Sequence, residues 1–236
     1  MTEWRARRFW TSAEIAEGQG GFEVRLDGRP VRTPAKTLLE VPTPDLARAV
    51  AAEWSAQGEV IDPETMPLTR MANSALDKVT PRRAEVAEHL AAYGESDLIC
   101  YRADAPRELV ERQAAAWDPL VAWAAERLEA PLAVGTGVMF IPQEANALAA
   151  LRARVDAFGP FALAAFHDLV ALPGSLVIAF AAVSEGWDRA DLWARSRLDE
   201  AWQAEQWGVD AEAAEAARRK GEAFLEAGRF FDLATS

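Results

Sequence analysis

The sequence contains few of the residues that build disulfides and metal sites. Among its 236 residues, one is a cysteine, Cys100, and two are histidines, His89 and His167. A single cysteine excludes an internal disulfide and a multi-cysteine metal cluster, and it is typical of a reducing compartment. Neither histidine has a second histidine or a cysteine three or four positions away, although Glu85 precedes His89 by four residues. We therefore predict no metal site and no cofactor.

Basic residues are also scarce relative to acidic ones. Lysine and arginine together number 25 against 37 aspartates and glutamates, which leaves a net charge of -12. Nucleic-acid binding depends on cations that neutralise phosphates, so this balance argues against a nucleic-acid partner. It equally disfavours an anionic membrane surface.

Long apolar runs are missing from the sequence. The most apolar stretch, Leu169 to Ser184, is shorter than the ~20 residues of a membrane-spanning helix and contains Pro173-Gly174. It predicts a buried helix or a pair of helices, and no membrane insertion. The segment Met1 to Trp10 lacks the apolar core of a signal peptide.

The beginning of the chain has the pattern of a small antiparallel sheet. Phe22, Val24 and Leu26 alternate with polar residues, which is typical of a strand with one buried face. Asp27-Gly28 follows and favours a tight hairpin, and Phe9 to Ile15 is predicted as the preceding strand.

Helical periodicity replaces this pattern from Thr43 onwards. Thr43 is predicted as an N-cap with Pro44 in the first helical turn, and helical blocks follow to the end of the chain, among them Trp187 to Trp207. The fold class is therefore predicted as α+β, a small N-terminal antiparallel sheet followed by a larger, mostly helical part. We expect a β-rich part over residues 1–42, extended by helices to about residue 104 as one domain, and a helical domain over residues 105–236.

Candidate catalytic residues do not form a convincing constellation. Cys100, His167 and Asp168 are the residue types of a nucleophile, a base and an orienting acid. His167 and Asp168 are adjacent, however, so on a helix their side chains are expected to point about 100° apart. Cys100 is more simply explained as a buried structural thiol. Acidic pairs remain an alternative source of acid–base chemistry, and the candidates are Asp199-Glu200 and Glu95-Ser96-Asp97.

Tryptophan is abundant, with nine residues in the chain. Most of these are expected in the core, namely Trp10, Trp54, Trp117, Trp123, Trp193 and Trp202. The segment from Ser196 to Gly208 also predicts a binding face. Its stripe mixes an acid, an amide and an aromatic ring, a combination suited to a partly apolar protein partner, and comprises Ser196, Glu200, Gln203 and Trp207.

Many short segments in one order give the chain a family resemblance. It resembles the assembly chaperones of the F-type ATP synthase that bind the free α subunit of the catalytic head. The matching segments extend over nearly the whole chain and include Gly20-Gly21-Phe22-Glu23-Val24, Thr33-Pro34, Ala52-Glu53-Trp54, Met66-Pro67-Leu68-Thr69, Asn73-Ser74-Ala75-Leu76-Asp77, Asp97-Leu98-Ile99-Cys100-Tyr101-Arg102, Trp117-Asp118-Pro119-Leu120, Ser196-Arg197-Leu198-Asp199-Glu200 and Trp207-Gly208. The chain departs from the family pattern after Gly208, where it continues Val209-Asp210-Ala211-Glu212-Ala213.

The resemblance implies a non-enzymatic chaperone that shields the α subunit until it meets the β subunit. It also implies that the important acid of the family corresponds to Glu200, with Asp199 beside it. The expected partner-binding residues are Glu200, Asp199, Gln203, Trp207 and Ser196. The expected location is the cytoplasm, as for a bacterial version, with no small-molecule substrate.

Two other functions remain compatible with the sequence. The first is a hydrolase-type enzyme that uses a carboxylate pair in an interdomain cleft, which would place Glu200 or Asp97 in a deep pocket and raise its pKa. The second is an interaction scaffold for a different protein partner.

Overall fold

The computed structural model describes residues 7–236, which form two compact units. The first unit runs to Arg83 and also includes Gly159–Ala165 and Arg229–Ser236, whereas the second comprises Ala84–Phe158 and Phe166–Gly228. A small antiparallel sheet near the beginning precedes a mostly helical remainder, so the predicted α+β class is confirmed. The domain boundary expected near residue 104 stays a prediction.

The sheet of the first unit is built around its second strand. The strands are β1 (Ala13–Glu17), β2 (Phe22–Leu26), β3 (Arg29–Pro30) and β4 (Glu40–Val41), and β2 pairs antiparallel with each of the others. Between β2 and β3, Asp27 and Gly28 have φ angles of 47° and 77°, which the predicted two-residue hairpin requires. The hairpin prediction is therefore confirmed.

The first strand begins later than the sequence predicts. The backbone amides of Thr11 and Ser12 donate to the Asp27 carboxylate at 3.0 and 2.9 Å, so they do not continue the strand ladder. Trp10 is buried and its indole N–H donates to the carbonyl of Trp54 at 3.3 Å. Strand β1 consequently starts at Ala13 rather than at Phe9.

Four of the segments that carry the family resemblance contact one another in pairs within the first unit. Helices α1 (Pro44–Ser55) and α2 (Pro67–Ser74) are joined by Glu53, whose carboxylate accepts from the amides of Leu68 and Thr69, both at 2.8 Å. The predicted N-cap of α1 is confirmed, because the Thr43 hydroxyl accepts from the amide of Leu46. After α2 the chain widens into a π-helix over Ala75–Val79, where Asp77 accepts from the Thr33 hydroxyl at 2.7 Å.

The remaining helices cover most of the second half of the chain. They are α3 (Arg83–Ala91), α4 (Arg107–Arg127), α5 (Ala145–Asp156), α6 (Pro160–Ala171), α7 (Leu176–Ala182), α8 (Arg189–Ser196), α9 (Leu198–Trp207) and α10 (Ala211–Thr235). A short parallel pair, β5 (Tyr101–Arg102) and β6 (Gly135–Thr136), lies in the second unit.

The apolar stretch from Leu169 to Ser184 is the predicted pair of buried helices. Helix α6 ends within it, Gly174 turns the chain with a φ of 76°, and all seven residues of α7 are buried. Asp97 is also fully buried here and accepts from the amide of Val177 at 3.0 Å. Among the described residues, every helix is too short or too polar to cross a lipid bilayer.

Tryptophans contribute to the core as the sequence predicts. Trp10, Trp117 and Trp202 are buried, and Trp54, Trp123 and Trp193 are half-buried. The half-buried rings contact other side chains, and Trp193 lies 5.7 Å from the Phe224 ring, centroid to centroid. The core role expected for these six rings is thus confirmed in full for three of them and in part for the others.

Candidate partner-binding site

The helical block predicted over Trp187 to Trp207 is interrupted. Helix α8 ends at Ser196 and α9 begins at Leu198, with Arg197 between them at φ -105° and ψ 18°. Ser196 is only 3% exposed, and its hydroxyl donates to the carbonyl of Trp193 at 2.7 Å. The prediction that Ser196 continues the exposed stripe of the next helix is therefore wrong, because the helix break turns this residue into the core.

Three of the predicted residues do share an exposed face. We call Glu200, Gln203 and Trp207 the α9 surface; all three are exposed, and Trp207 reaches 79%. The other seven tryptophans within residues 7–236 are buried or half-buried. An exposed indole beside an amide and a carboxylate can cover apolar area while the polar groups orient the partner.

Asp199 has a different position from its neighbour Glu200. Its carboxylate accepts a hydrogen bond from Nε2 of Gln113 at 2.7 Å. Gln113 belongs to α4, is almost fully buried and also accepts from the amide of Ala103 at 2.8 Å. Asp199 thus attaches α9 to α4, whereas Glu200 points to solvent. The partner-binding role of the predicted residues stays a prediction.

A second contact fixes α9 to the same helix. Nη1 of Arg112 donates to both carboxylate oxygens of Glu205, at 3.0 and 2.7 Å. The guanidinium also lies 4.7 Å from the ring centroid of the buried Trp202. These contacts hold the inner side of α9, so its outer side is presented in a defined orientation.

Glu200 has one charged neighbour on its own segment. It forms an ion pair with Arg197, and the Arg197 guanidinium in turn lies 5.7 Å from the Trp193 ring centroid. An exposed ion pair of this kind contributes little to stability.

The candidate nucleophile has no activated environment. Cys100 is fully buried, and burial raises the pKa of its thiol to about 12. The expectation that His167 and Asp168 point apart is wrong, since Nδ1 of His167 lies 3.0 Å from Oδ1 of Asp168. This hydrogen bond raises the pKa of His167. His89 contacts the ring of Tyr93 edge to face.

The carboxylates of the hydrolase alternative have unequal surroundings. Glu200 lies on the exposed face of α9, whereas Asp97 is fully buried. Burial raises the pKa of Asp97, as that alternative expects, but the oxygens already accept from the amides of Ile99 and Val177. Asp97 therefore acts as a helix cap. Among the described residues, no three histidine, cysteine, aspartate or glutamate side chains are grouped to hold a metal ion.

Comparison with known proteins places this architecture in a family. Residues 7–125, half of the chain, match the family described as ATP12 chaperone protein. The chain belongs to the ATP12 chaperone family. The matched residues include the antiparallel sheet of the first unit, the Glu53 and Asp77 contacts, and Gln113. The α9 surface lies outside them.

Solved structures extend the similarity to the rest of the chain. Atp12 from Paracoccus denitrificans is 50% identical, with a TM-score of 0.96 over 98% of this chain and 100% of that one. An aspartate-to-lysine variant of the Paracoccus protein has the same identity and TM-score over 99% of this chain and 100% of that one. A protein from Agrobacterium tumefaciens is 38% identical, with a TM-score of 0.92 over 98% of this chain and 86% of that one.

A more distant ATP12 relative is found among characterised sequences. The mitochondrial protein atp12 of Schizosaccharomyces pombe is 23% identical over 214 residues, which cover 86% of this chain and 74% of the relative. The family resemblance stated from the sequence is thus confirmed.

Two features of the second unit were not predicted from the sequence. Gln113 supports α9, and its signal was a lone amide within an otherwise apolar helical stripe. The loop after β6 exposes Val138, Met139 and Phe140, which no sequence motif singled out. Its signal was the absence of any charged residue between Glu129 and Glu144.

Proposed function

We propose that this chain binds the free α subunit of the F-type ATP synthase catalytic head and shields it until it meets the β subunit. Membership of the ATP12 chaperone family supports a chaperone role. The observation that carries the proposal is the α9 surface, in which Trp207 is 79% exposed beside Glu200 and Gln203 on a helix fixed from its inner side.

The physical task of such a chaperone follows from subunit assembly. A subunit built to meet a neighbour exposes a partly apolar surface while it is alone, and this surface promotes self-association. Covering the surface lowers the concentration of the aggregation-prone form. Release then needs only that the β subunit bind more tightly in competition, so the chaperone itself requires no hydrolysis step.

Charge and composition support a partner surface with basic groups and a location in the cytoplasm. The net charge of -12 favours a partner surface with basic groups, which the Glu200 carboxylate can pair. We propose the cytoplasm as the location, because the single buried cysteine suits a reducing compartment and the similar solved structures come from bacteria.

A binding experiment with purified α subunit tests the proposal. We expect the chain to form a complex on size exclusion and to suppress light scattering by the α subunit alone. Added β subunit is expected to displace the chain. A well-folded chain that forms no complex with the α subunit would refute the proposal, and equal binding of the β subunit would indicate a general scaffold instead.

The α9 surface is tested by a charge reversal with a matched control. Glu200→Lys is expected to weaken binding about tenfold or more, since it places a cation opposite basic groups of the partner. Its melting temperature should fall by less than about 4 °C, because a first-turn charge costs about 1 kcal/mol. Glu126→Lys makes the same charge change at an exposed position of α4 and should leave binding unchanged.

A further inference from the structure

Three large, exposed apolar residues of the second unit are consecutive on one loop. Val138, Met139 and Phe140 are 95%, 79% and 65% exposed, and they follow directly after β6. We call these three residues the apolar tip. Contiguous side chains of this size are normally buried, and an exposed group of them marks an interaction site.

Hydrogen bonds on both sides of the tip hold the loop in shape. The Gln143 side chain accepts from the amide of Ala133 at 2.7 Å and donates to the carbonyl of the same residue at 3.0 Å. The Gly137 amide donates to the carbonyl of Arg102 at 2.8 Å, which continues the pairing of β6 with β5. A loop fixed at its base loses little conformational freedom when its tip is bound.

Packing at the base of the loop separates the tip from the core. A Cβ atom on Gly135 would lie 2.7 Å from Cδ1 of Ile141, so this glycine allows the half-buried Ile141 to fold back against the strand. The backbone amide of Ile141 also donates to the Tyr101 hydroxyl at 3.4 Å. Ile141 therefore serves the loop's own packing, while the three residues before it are left for a partner.

The charge pattern along the loop argues against two classes of partner for the tip. No charged residue lies between Glu129 and Glu144, and both of these flanking residues are acidic. A loop that enters an anionic membrane or contacts nucleic acid needs nearby cations. A protein surface with an apolar cleft is the partner that this neutral, acid-flanked tip fits.

The loop and the α9 surface share one support. Arg102, whose carbonyl holds Gly137, donates from Nη1 to the carbonyl of Gln113 at 3.0 Å. The Gln113 side chain in turn donates to Asp199 at the start of α9. Two residues bonded to each other thus fix the base of the loop and the beginning of α9, so both exposed groups are held on one scaffold.

From this arrangement we infer that the apolar tip is a second contact with the same client, inserted into an apolar cleft of the unassembled subunit. The inference rests on the proposed function. The α9 surface supplies charge and orientation, and the tip supplies apolar burial, the larger source of affinity in interface centres.

Serine substitutions across the tip test the inference in the full-length chain. The triple variant Val138→Ser, Met139→Ser and Phe140→Ser should bind purified α subunit at least about tenfold more weakly, with an unchanged melting temperature. The matched control is Leu225→Ser, another exposed apolar residue of the second unit, at 41% exposure, which should bind like the wild type. A triple variant with wild-type affinity overturns the inference.

Crosslinking gives a readout that does not depend on the stability of the triple variant. With benzoylphenylalanine at Phe140, irradiation is expected to link the chain to the α subunit, whereas the same probe at Leu225 should not. Crosslinks only between two copies of the chain, or none, overturn the inference. If the wild type fails to bind the α subunit at all, the proposed function itself fails; if it binds while the tip variant binds equally well, only this inference fails.

Discussion

The side chain of Gln113 connects two helices, with its Nε2 atom donating to Oδ1 of Asp199 at 2.7 Å. Its carbonyl oxygen accepts from the amide of Ala103, so both ends of this buried amide are bonded. Removing either partner would leave a buried polar group unpaired, which costs more than the hydrogen bond itself contributes. The orientation of α9 is consequently coupled to α4.

Asp199 is therefore expected to stabilise the fold rather than to bind the client directly. Asp199→Ala should lower the free energy of unfolding by about 1–2 kcal/mol, since the Gln113 amide loses its acceptor. Asp199→Asn keeps an acceptor oxygen and should cost less than half as much. Urea denaturation measures both. Weaker α-subunit binding by Asp199→Ala at unchanged stability would show instead that Asp199 contacts the partner.

Glu53 is expected to be a major stabilising residue of the first unit. Its carboxylate accepts from the amides of Leu68 and Thr69 and from the Thr69 hydroxyl, and so caps the beginning of α2. Glu53→Ala should lower the free energy of unfolding by about 1–3 kcal/mol. The control is Glu64→Ala at an exposed position nearby. Similar denaturation midpoints for the two variants would contradict this assignment.

The hairpin turn predicts an acid dependence of stability. Hydrogen bonds from the amides of Ser12 and Thr11 lower the pKa of Asp27. A carboxylate whose pKa is lower in the folded state contributes stability above its unfolded pKa, and this contribution is lost as the pH falls through the folded pKa. Melting curves should show Asp27→Asn to be less stable than the wild type at pH 7, with the difference shrinking as the pH falls below the ordinary aspartate pKa of 3.8. A constant difference across this range would argue against it.

Cys100 is expected to be unreactive in the folded chain. Burial raises the pKa of its thiol to about 12, so almost no thiolate is present at pH 8. Iodoacetamide should therefore label Cys100 only after urea unfolding, as measured by intact-mass spectrometry. Rapid labelling without denaturant would mean that the region around β5 opens readily.

Local sequence signals were sufficient for much of the first unit. The Thr43-Pro44 cap, the Asp27-Gly28 hairpin and the alternation in β2 all depend on neighbouring residues, and each is present in the structure. The π-helix at Ala75–Val79 lies in the region where the sequence predicts ordinary helical blocks. The Thr80 amide donates to the carbonyl of Ala75 five residues earlier, which is the π-helical spacing, and the Thr80 hydroxyl donates to the same carbonyl at 2.8 Å. Pro81 follows and has no amide with which to continue the helical pattern.

The break before α9 could not be predicted from its own segment, because neither proline nor glycine occurs between Asp188 and Trp207. A continuous helix would use the carbonyl of Arg195 to accept from the amide four residues later. That carbonyl instead accepts from the indole N–H of Trp117 at 2.9 Å, across 78 residues of sequence. The candidate site was thus predicted in composition, but its orientation depends on a long-range contact.

The bond between Trp117 and Arg195 has a consequence for how the chain tolerates mutation. A phenylalanine in place of Trp117 would remain aromatic and apolar but could not donate to that carbonyl. Helices α8 and α9 could then form one continuous helix, and this change would rotate Glu200, Gln203 and Trp207 about the helix axis. On the proposed function, client recognition therefore depends partly on the Trp117 indole N–H, a hydrogen-bond donor of a side chain buried in the second unit.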